Sequence, residues 1–129
     1  MMYNWIDHIV VRVKDLDQSI QDYESKMGMT VSEGPDAQPH LGLRRAILPL
    51  GDAGRFIELA EPLDENSAIG RALERFGEGV HLVAMAVDNM QQAIADLKQK
   101  GTQLIEMGNQ VFIHPRETHG VLYQLIERK

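Results

Sequence analysis

A chain of 129 residues is long enough for one domain with a real core and too short for two independent ones. Hydrophobic residues make up 43% and charged residues 25%, ordinary for a globular protein, and the net charge of −6 argues against a general nucleic-acid binder. There is no cysteine, which excludes disulfides, thiolate metal sites and cysteine nucleophiles, and no apolar run approaches the roughly 18 residues needed to span a bilayer. The expectation is a soluble, cytoplasmic protein with neither nucleic acid nor membrane as a partner.

In chain order, Ile6 to Val13 is β-branched with polar residues at alternate positions and predicts a strand. Asp15 or Asp17 caps a helix on which Leu16, Ile20, Tyr23 and Met27 recur at helical spacing up to Gly28. Met29 to Ser32 reads as a short strand, and Glu33 to Gly42, with two prolines and two glycines, as a loop. Arg44 to Leu50 and Arg55 to Ala60 form a hairpin across Gly51-Asp52-Ala53-Gly54. Pro62 to Gly77 is a connector whose helix starts at Asp64 or Ser67 and carries Ile69, Leu73 and Phe76. Then follow a strand (Val80 to Val87), a helix (Met90 to Lys100), a short strand (Gln103 to Glu106) and a hairpin from Gln110 to His114 and Val121 to Ile126.

The two halves repeat. Asp7-His8 and the strand after it match His81-Leu82 and its strand at an offset of 74, with Val13 on Val87, Leu16 on Met90 and Ile20 on Ile94. The closing segments match at an offset of 66: Pro49 on Pro115, Gly54 on Gly120, Glu58 on Gln124, Leu59 on Leu125 and Glu61 on Glu127. The chain therefore predicts one α+β domain of tandem βαβββ modules, about 3–62 and 79–128, joined by a connector helix in about 63–78. Strand alternation places His8, Val10 and Arg12 on one face of the first strand and the apolar Ile9, Val11 and Val13 on the other. The same rule sets Leu82, Ala84 and Ala86 apart from the helix-facing Val83, Met85 and Val87, and sets Glu58 and Gln124 opposite the apolar residues that bracket them.

With this organisation the chain resembles the vicinal oxygen chelate superfamily of glyoxalase I, extradiol dioxygenases, methylmalonyl-CoA epimerase and bleomycin-type resistance proteins. The likeness to the glyoxalase and epimerase branch rests on Phe56-Ile57-Glu58-Leu59-Ala60-Glu61-Pro62-Leu63, on Gly79-Val80-His81, and on His114-Pro115 with Gly120-Val121-Leu122 and Gln124-Leu125. The resemblance implies curved mixed sheets around a cavity, a homodimer, and a divalent metal held by one inward residue on the first and one on the last strand of each module. Those positions fall on His8, Glu58, Gln124 and Leu82. Leucine cannot bind metal, so His81 either completes the set through a β-bulge near Gly79 or points at the helix layer as a half-buried histidine. Imidazole and oxygen ligands suit Zn, Ni, Co, Mn or Fe without singling one out.

Epimerase members need a base on each side of the inverted carbon. By resemblance these fall on Gln124 and on Arg44, neither of which is a base near neutral pH, so methylmalonyl-CoA epimerisation is disfavoured. Arg12 and Arg44 are instead expected to bind an anionic substrate beside Gln110 and Phe112. His114 is either a pocket acid or base or a structural histidine before Pro115. The leading expectation is a metal-dependent glyoxalase-like lyase or isomerase on a small oxygenated anion. The alternative is a metal-free small-molecule binding or resistance protein, which Leu82 favours. An extradiol dioxygenase would want a second histidine in register.

Overall fold

β-Branched and apolar runs, separated by residues that cap helices or tolerate positive φ, become eight strands and three helices in the computed structural model, which describes residues 1–129. In chain order these are β1 (Tyr3–Arg12), α1 (Leu16–Met27), β2 (Glu33–Gln38), β3 (Leu43–Leu50), β4 (Arg55–Pro62), α2 (Ala68–Phe76), β5 (Gly79–Val87), α3 (Met90–Gln99), β6 (Leu104–Met107), β7 (Gln110–Ile113) and β8 (Tyr123–Glu127). The predicted β-α-β-β-β order is present twice, and the fold is α+β. By its contacts the chain divides into two compact units, one of Ile9–His81 and one of Met1–His8 with Leu82–Lys129. No helix is long and apolar enough to cross a membrane.

In the unit Ile9–His81 the strands run in the order β2-β3-β4-β1. Antiparallel β3 and β4 pair Ala46 with Leu59 and Ile47 with Glu58. Opposite residues share a face, so Ala46, Leu48 and Leu59 pack with Val13, Leu16, Ile20 and Tyr23 beneath α1, while Arg45, Ile47 and Glu58 take the other face. Asp15 caps α1 by accepting from the Gln18 amide at 3.1 Å, and Gly28, at φ 72°, ends it in the left-handed conformation that glycine adopts without strain.

The segment expected to be a loop is partly a strand. Glu33–Gln38 pairs with β3 as β2, with an irregularity between Glu33 and Asp36. An edge strand needs no ladder bond on its outer side, which is why Gly34 and Pro35 fit there. Met29 to Ser32 is not a strand. Met29 and Val31 pack on the α1 core, and the Ser32 amide bonds to the Ile47 carbonyl at 2.9 Å.

Helix α2 is held by a local set of polar bonds. Ser67 Oγ accepts from the Gly70 amide at 3.0 Å, and Asp64 Oδ1 accepts from the Asn66 and Ser67 amides at 2.8 and 3.0 Å. Ser67→Ala is expected to cost about 1 kcal/mol, read as a lower urea midpoint with an unchanged m-value.

In the other unit the order is β1-β5-β8-β7-β6, with β5 and β8 parallel and the β8, β7 and β6 pairs antiparallel. Val87, Ala93, Leu97, Val111, Ile113 and Leu125 form its core beneath α3. Ala84 and Phe112 lie opposite Gln124 on either side, so these three share the face away from α3.

Candidate functional site

Buried polar side chains are costly unless partnered, so their environments mark where chemistry can be held. In the unit Met1–His8 with Leu82–Lys129, His8 is 8% and Asp7 only 2% exposed. His8 Nδ1 lies 2.7 Å from Asp7 Oδ2, and Arg128 donates to the same carboxylate from Nε at 3.0 Å and Nη2 at 3.3 Å. Burial pushes the Asp7 carboxyl up, but the hydrogen bonds from Arg128 and His8, with their charges, outweigh it and hold the group below its usual range. Gln124 is also buried, 9% exposed, and shares its strand face with Ala84 and Phe112. By alternation Gln110 and Leu82 lie on that face too. Leu82 is 8% exposed. A hollow of about 390 Å³ between the start of α3 and β7–β8, lined by Met90, Asn109, Gln110, Gln124 and Glu127 among others, reaches Gln110 and Gln124 but none of His8, Leu82, Ala84 and Phe112.

For His114 sequence leaves open a pocket acid or base and a structural histidine before Pro115. It caps a 3₁₀ turn (Pro115–Thr118), its Nδ1 accepting from the Arg116 amide at 3.0 Å. That occupies the lone pair a base would use and leaves the ring proton on Nε2. The structural reading of this histidine is the one its contacts support.

In the unit Ile9–His81, Glu58 is 6% exposed, and Arg45 Nη1 meets its Oε1 at 3.3 Å. Arg45 Nε is buried with no hydrogen-bond partner, a donor that an anion would satisfy. Arg44, expected to bind substrate, requires correction. It lies on the opposite face of β3, beside α1, with Glu61 at 3.4 Å and Asp17 at 3.5 Å. Strand parity makes Arg45 the arginine that shares a face with Glu58.

Arg12 and His81 are corrected together. Arg12, 8% exposed, donates to the Gly77 carbonyl from Nε and to the Val80 carbonyl from Nη1, both at 3.0 Å, and its guanidinium lies 5.8 Å from the Phe76 ring centre. Its donors hold the turn between α2 and β5 instead of awaiting an anion. Arg12 Nη1 also lies 3.4 Å from His81 Nδ1. Burial first, and then the Arg12 charge, lower the His81 pKa from 6.5 to about 4. A guanidinium can only donate, so Nδ1 is the acceptor and the His81 proton sits on Nε2, the wrong arrangement for a metal ligand through that atom. Of the two alternatives left open by sequence, these contacts favour the half-buried structural histidine.

No three His, Asp or Glu side chains gather into a group that could hold a metal by themselves. A hollow of about 460 Å³ between Lys14, Pro62, Asp64, Leu73 and Glu74 shares no residue with the expected set. Asp7, Arg45 and Arg128 were not singled out by sequence reasoning. An acidic residue next to the matched histidine was the available signal for Asp7, whereas Arg45 is told from Arg44 only once β3 is registered on β4. Nothing local signals Arg128, whose partner lies 121 residues away.

The family model for a glyoxalase-like domain matches residues 6–126. The chain belongs to this glyoxalase-like family, within the vicinal oxygen chelate superfamily. It is 30% identical to human mitochondrial methylmalonyl-CoA epimerase over 93% of this chain and 72% of that one. It is 27% identical to the ethylmalonyl-CoA/methylmalonyl-CoA epimerase of Cereibacter sphaeroides, over 96% and 98%. Among solved structures, a variant of Streptomyces coelicolor methylmalonyl-CoA epimerase in complex with 2-nitronate-propionyl-CoA matches at a TM-score of 0.87 and 31% identity, covering 97% of each chain. The Mycobacterium tuberculosis methylmalonyl-CoA epimerase matches at 0.86 and 29%, over 99% and 90%. These glyoxalase-like relatives are isomerases named for anionic acyl-CoA substrates.

Proposed function

We propose that the protein is a divalent-metal-dependent isomerase whose substrate is a small oxygenated anion presented as an acyl thioester, and that it works as a homodimer. The supporting observation is that His8, Glu58 and Gln124 are each buried, on strand faces turned away from the helix-packed core. Their donor set is one imidazole, one carboxylate and one amide oxygen. It suits a borderline divalent ion with three protein ligands and positions left for substrate oxygens. When bound, the ion would polarise a substrate oxygen and stabilise an enolate. Glu58 is the group of the three able to take a proton from carbon, and Gln124 can orient but not exchange one. Arg45, through its unpartnered Nε, would bind a carboxylate of the substrate.

The case against methylmalonyl-CoA epimerisation rested on Arg44 and Gln124. Arg44 lies on the α1 face, but Arg45 takes its place beside Glu58 and is no base either, so the objection passes to Arg45. With one carboxylate base, exchange at carbon is expected to outpace full inversion. Chelated protein reloaded with Co²⁺ or Mn²⁺ should show a thermal shift and should exchange deuterium into C2 of methylmalonyl-CoA in D₂O, followed by NMR. Glu58→Gln should lower that exchange at least about 100-fold. A protein that neither shifts nor exchanges with any divalent metal contradicts the proposal.

A second reading, a metal-free acyl-CoA-binding protein, is favoured by Leu82 at a ligand position and by the cation already paired with Glu58. Tight binding of methylmalonyl-CoA that ignores EDTA would support it.

A further inference from the structure

The pair formed by Asp7 and Arg128 has no place in the ligand set, yet it controls one member of it. Asp7 is the most deeply buried acid of the chain and stands beside His8 on β1. Its Oδ2 takes His8 Nδ1 at 2.7 Å, while Arg128 grips both carboxylate oxygens. Arg128 is itself fixed: its amide donates to the Val87 carbonyl at 2.9 Å, at the end of β5. A guanidinium must face acceptors, so Arg128 holds the carboxylate plane with Oδ2 turned to the imidazole.

We propose that Asp7 and Arg128 are positioning residues that set the tautomer of His8, keeping its proton on Nδ1 and its lone pair on Nε2. The arrangement resembles the carboxylate–histidine pairs that orient metal-binding imidazoles, here with a third residue near the C-terminus holding the carboxylate. Two variants expose the logic. In Asp7→Leu no acceptor is left beside Nδ1, and the neutral ring carries its proton on Nε2, the tautomer imidazole side chains prefer in water. In Asp7→Asn an amide oxygen standing where Oδ2 stood accepts from both Arg128 Nη2 and His8 Nδ1–H, so the Nδ1–H tautomer is kept.

The experiment reads the His8 ring nitrogens by long-range ¹H–¹⁵N NMR in metal-free protein. Neutral His8 is expected as the Nδ1–H tautomer in wild-type protein and in Asp7→Asn, and as Nε2–H in Asp7→Leu. Wild-type protein showing Nε2–H overturns the proposal with no variant needed. So does a folded Asp7→Leu that keeps Nδ1–H. If Asp7→Leu fails to fold, the wild-type spectrum decides. In the metal-binding reading on which its use depends, Co²⁺ affinity falls about 10- to 100-fold in Asp7→Leu and less in Asp7→Asn. Tautomers that move as expected while no form of the protein binds Co²⁺ would sink the metal reading and leave this inference standing.

Discussion

Arg12→Ala is expected to lower stability by about 3 kcal/mol, and Arg12→Lys by somewhat less. The residue is almost fully buried, and it joins two backbone carbonyls of one turn, at Gly77 and Val80, with a charged fork. Hydrogen bonds from a charged donor are worth more than neutral ones, and truncation also removes the aliphatic stem that packs behind them. Lysine keeps the charge but has no planar fork to span both carbonyls. For a chain of this length the alanine variant should melt on the order of 10 °C lower. An arginine that waited for a substrate carboxylate would behave otherwise. Its lysine variant would fold as well as wild type and lose ligand affinity. Differential scanning calorimetry beside acyl-CoA titration separates the two, and unchanged melting with weakened binding would restore Arg12 to the substrate.

The contrast between Arg12 and Arg44 on one side and Glu58 and Gln124 on the other shows which parts of this protein a sequence can express. Alternation along a strand is a local, short-range property, and it placed Ala84 with Gln124 and set Leu59 apart from Glu58 before any coordinates. The caps are local too, and Asp15, Ser67 and Gly28 act as their residue types require. Arg44 failed by one step of the same rule. Its neighbour Arg45 carries the parity of Glu58, and two adjacent arginines give no hint of which faces where until the strand's partner is known. Arg12 has the expected parity, but its side chain is long enough to find acceptors in a distant turn. Glu33 to Gln38 looked like a loop because proline and glycine count against strands in general, whereas an edge strand tolerates both. Asp7 with Arg128 joins residues 121 apart through side-chain geometry alone, which no periodicity encodes.

The same geometry around Arg12 predicts a pH dependence. His81 has its pKa lowered from 6.5 to about 4, by burial first and by the guanidinium next to it second. In the unfolded chain the imidazole protonates as pH falls through its ordinary value, and in the folded chain it refuses the proton until much lower pH. The unfolded state therefore gains protons first, so stability is full above pH 6.5, falls through the window down to about 4, and changes no further on this account below it. The loss amounts to about 3 kcal/mol at the bottom of the window. His81→Gln keeps an acceptor for Arg12 but cannot titrate, so its stability should decline less across that range when both proteins are unfolded with urea at a series of pH values. Asp7 contributes elsewhere. Its folded pKa lies below the ordinary 3.8, so the stability it lends is present above that value and goes only at more acid pH. The acid limb should thus survive in His81→Gln while the gentler slope above it flattens. Arg12→Ala, by removing the second cause of the shift, should narrow the window from its lower end. Equal slopes for wild type and His81→Gln between 6.5 and 4 would mean that the histidine titrates in the folded protein much as it does in the open chain, and that Arg12 does not sit against it.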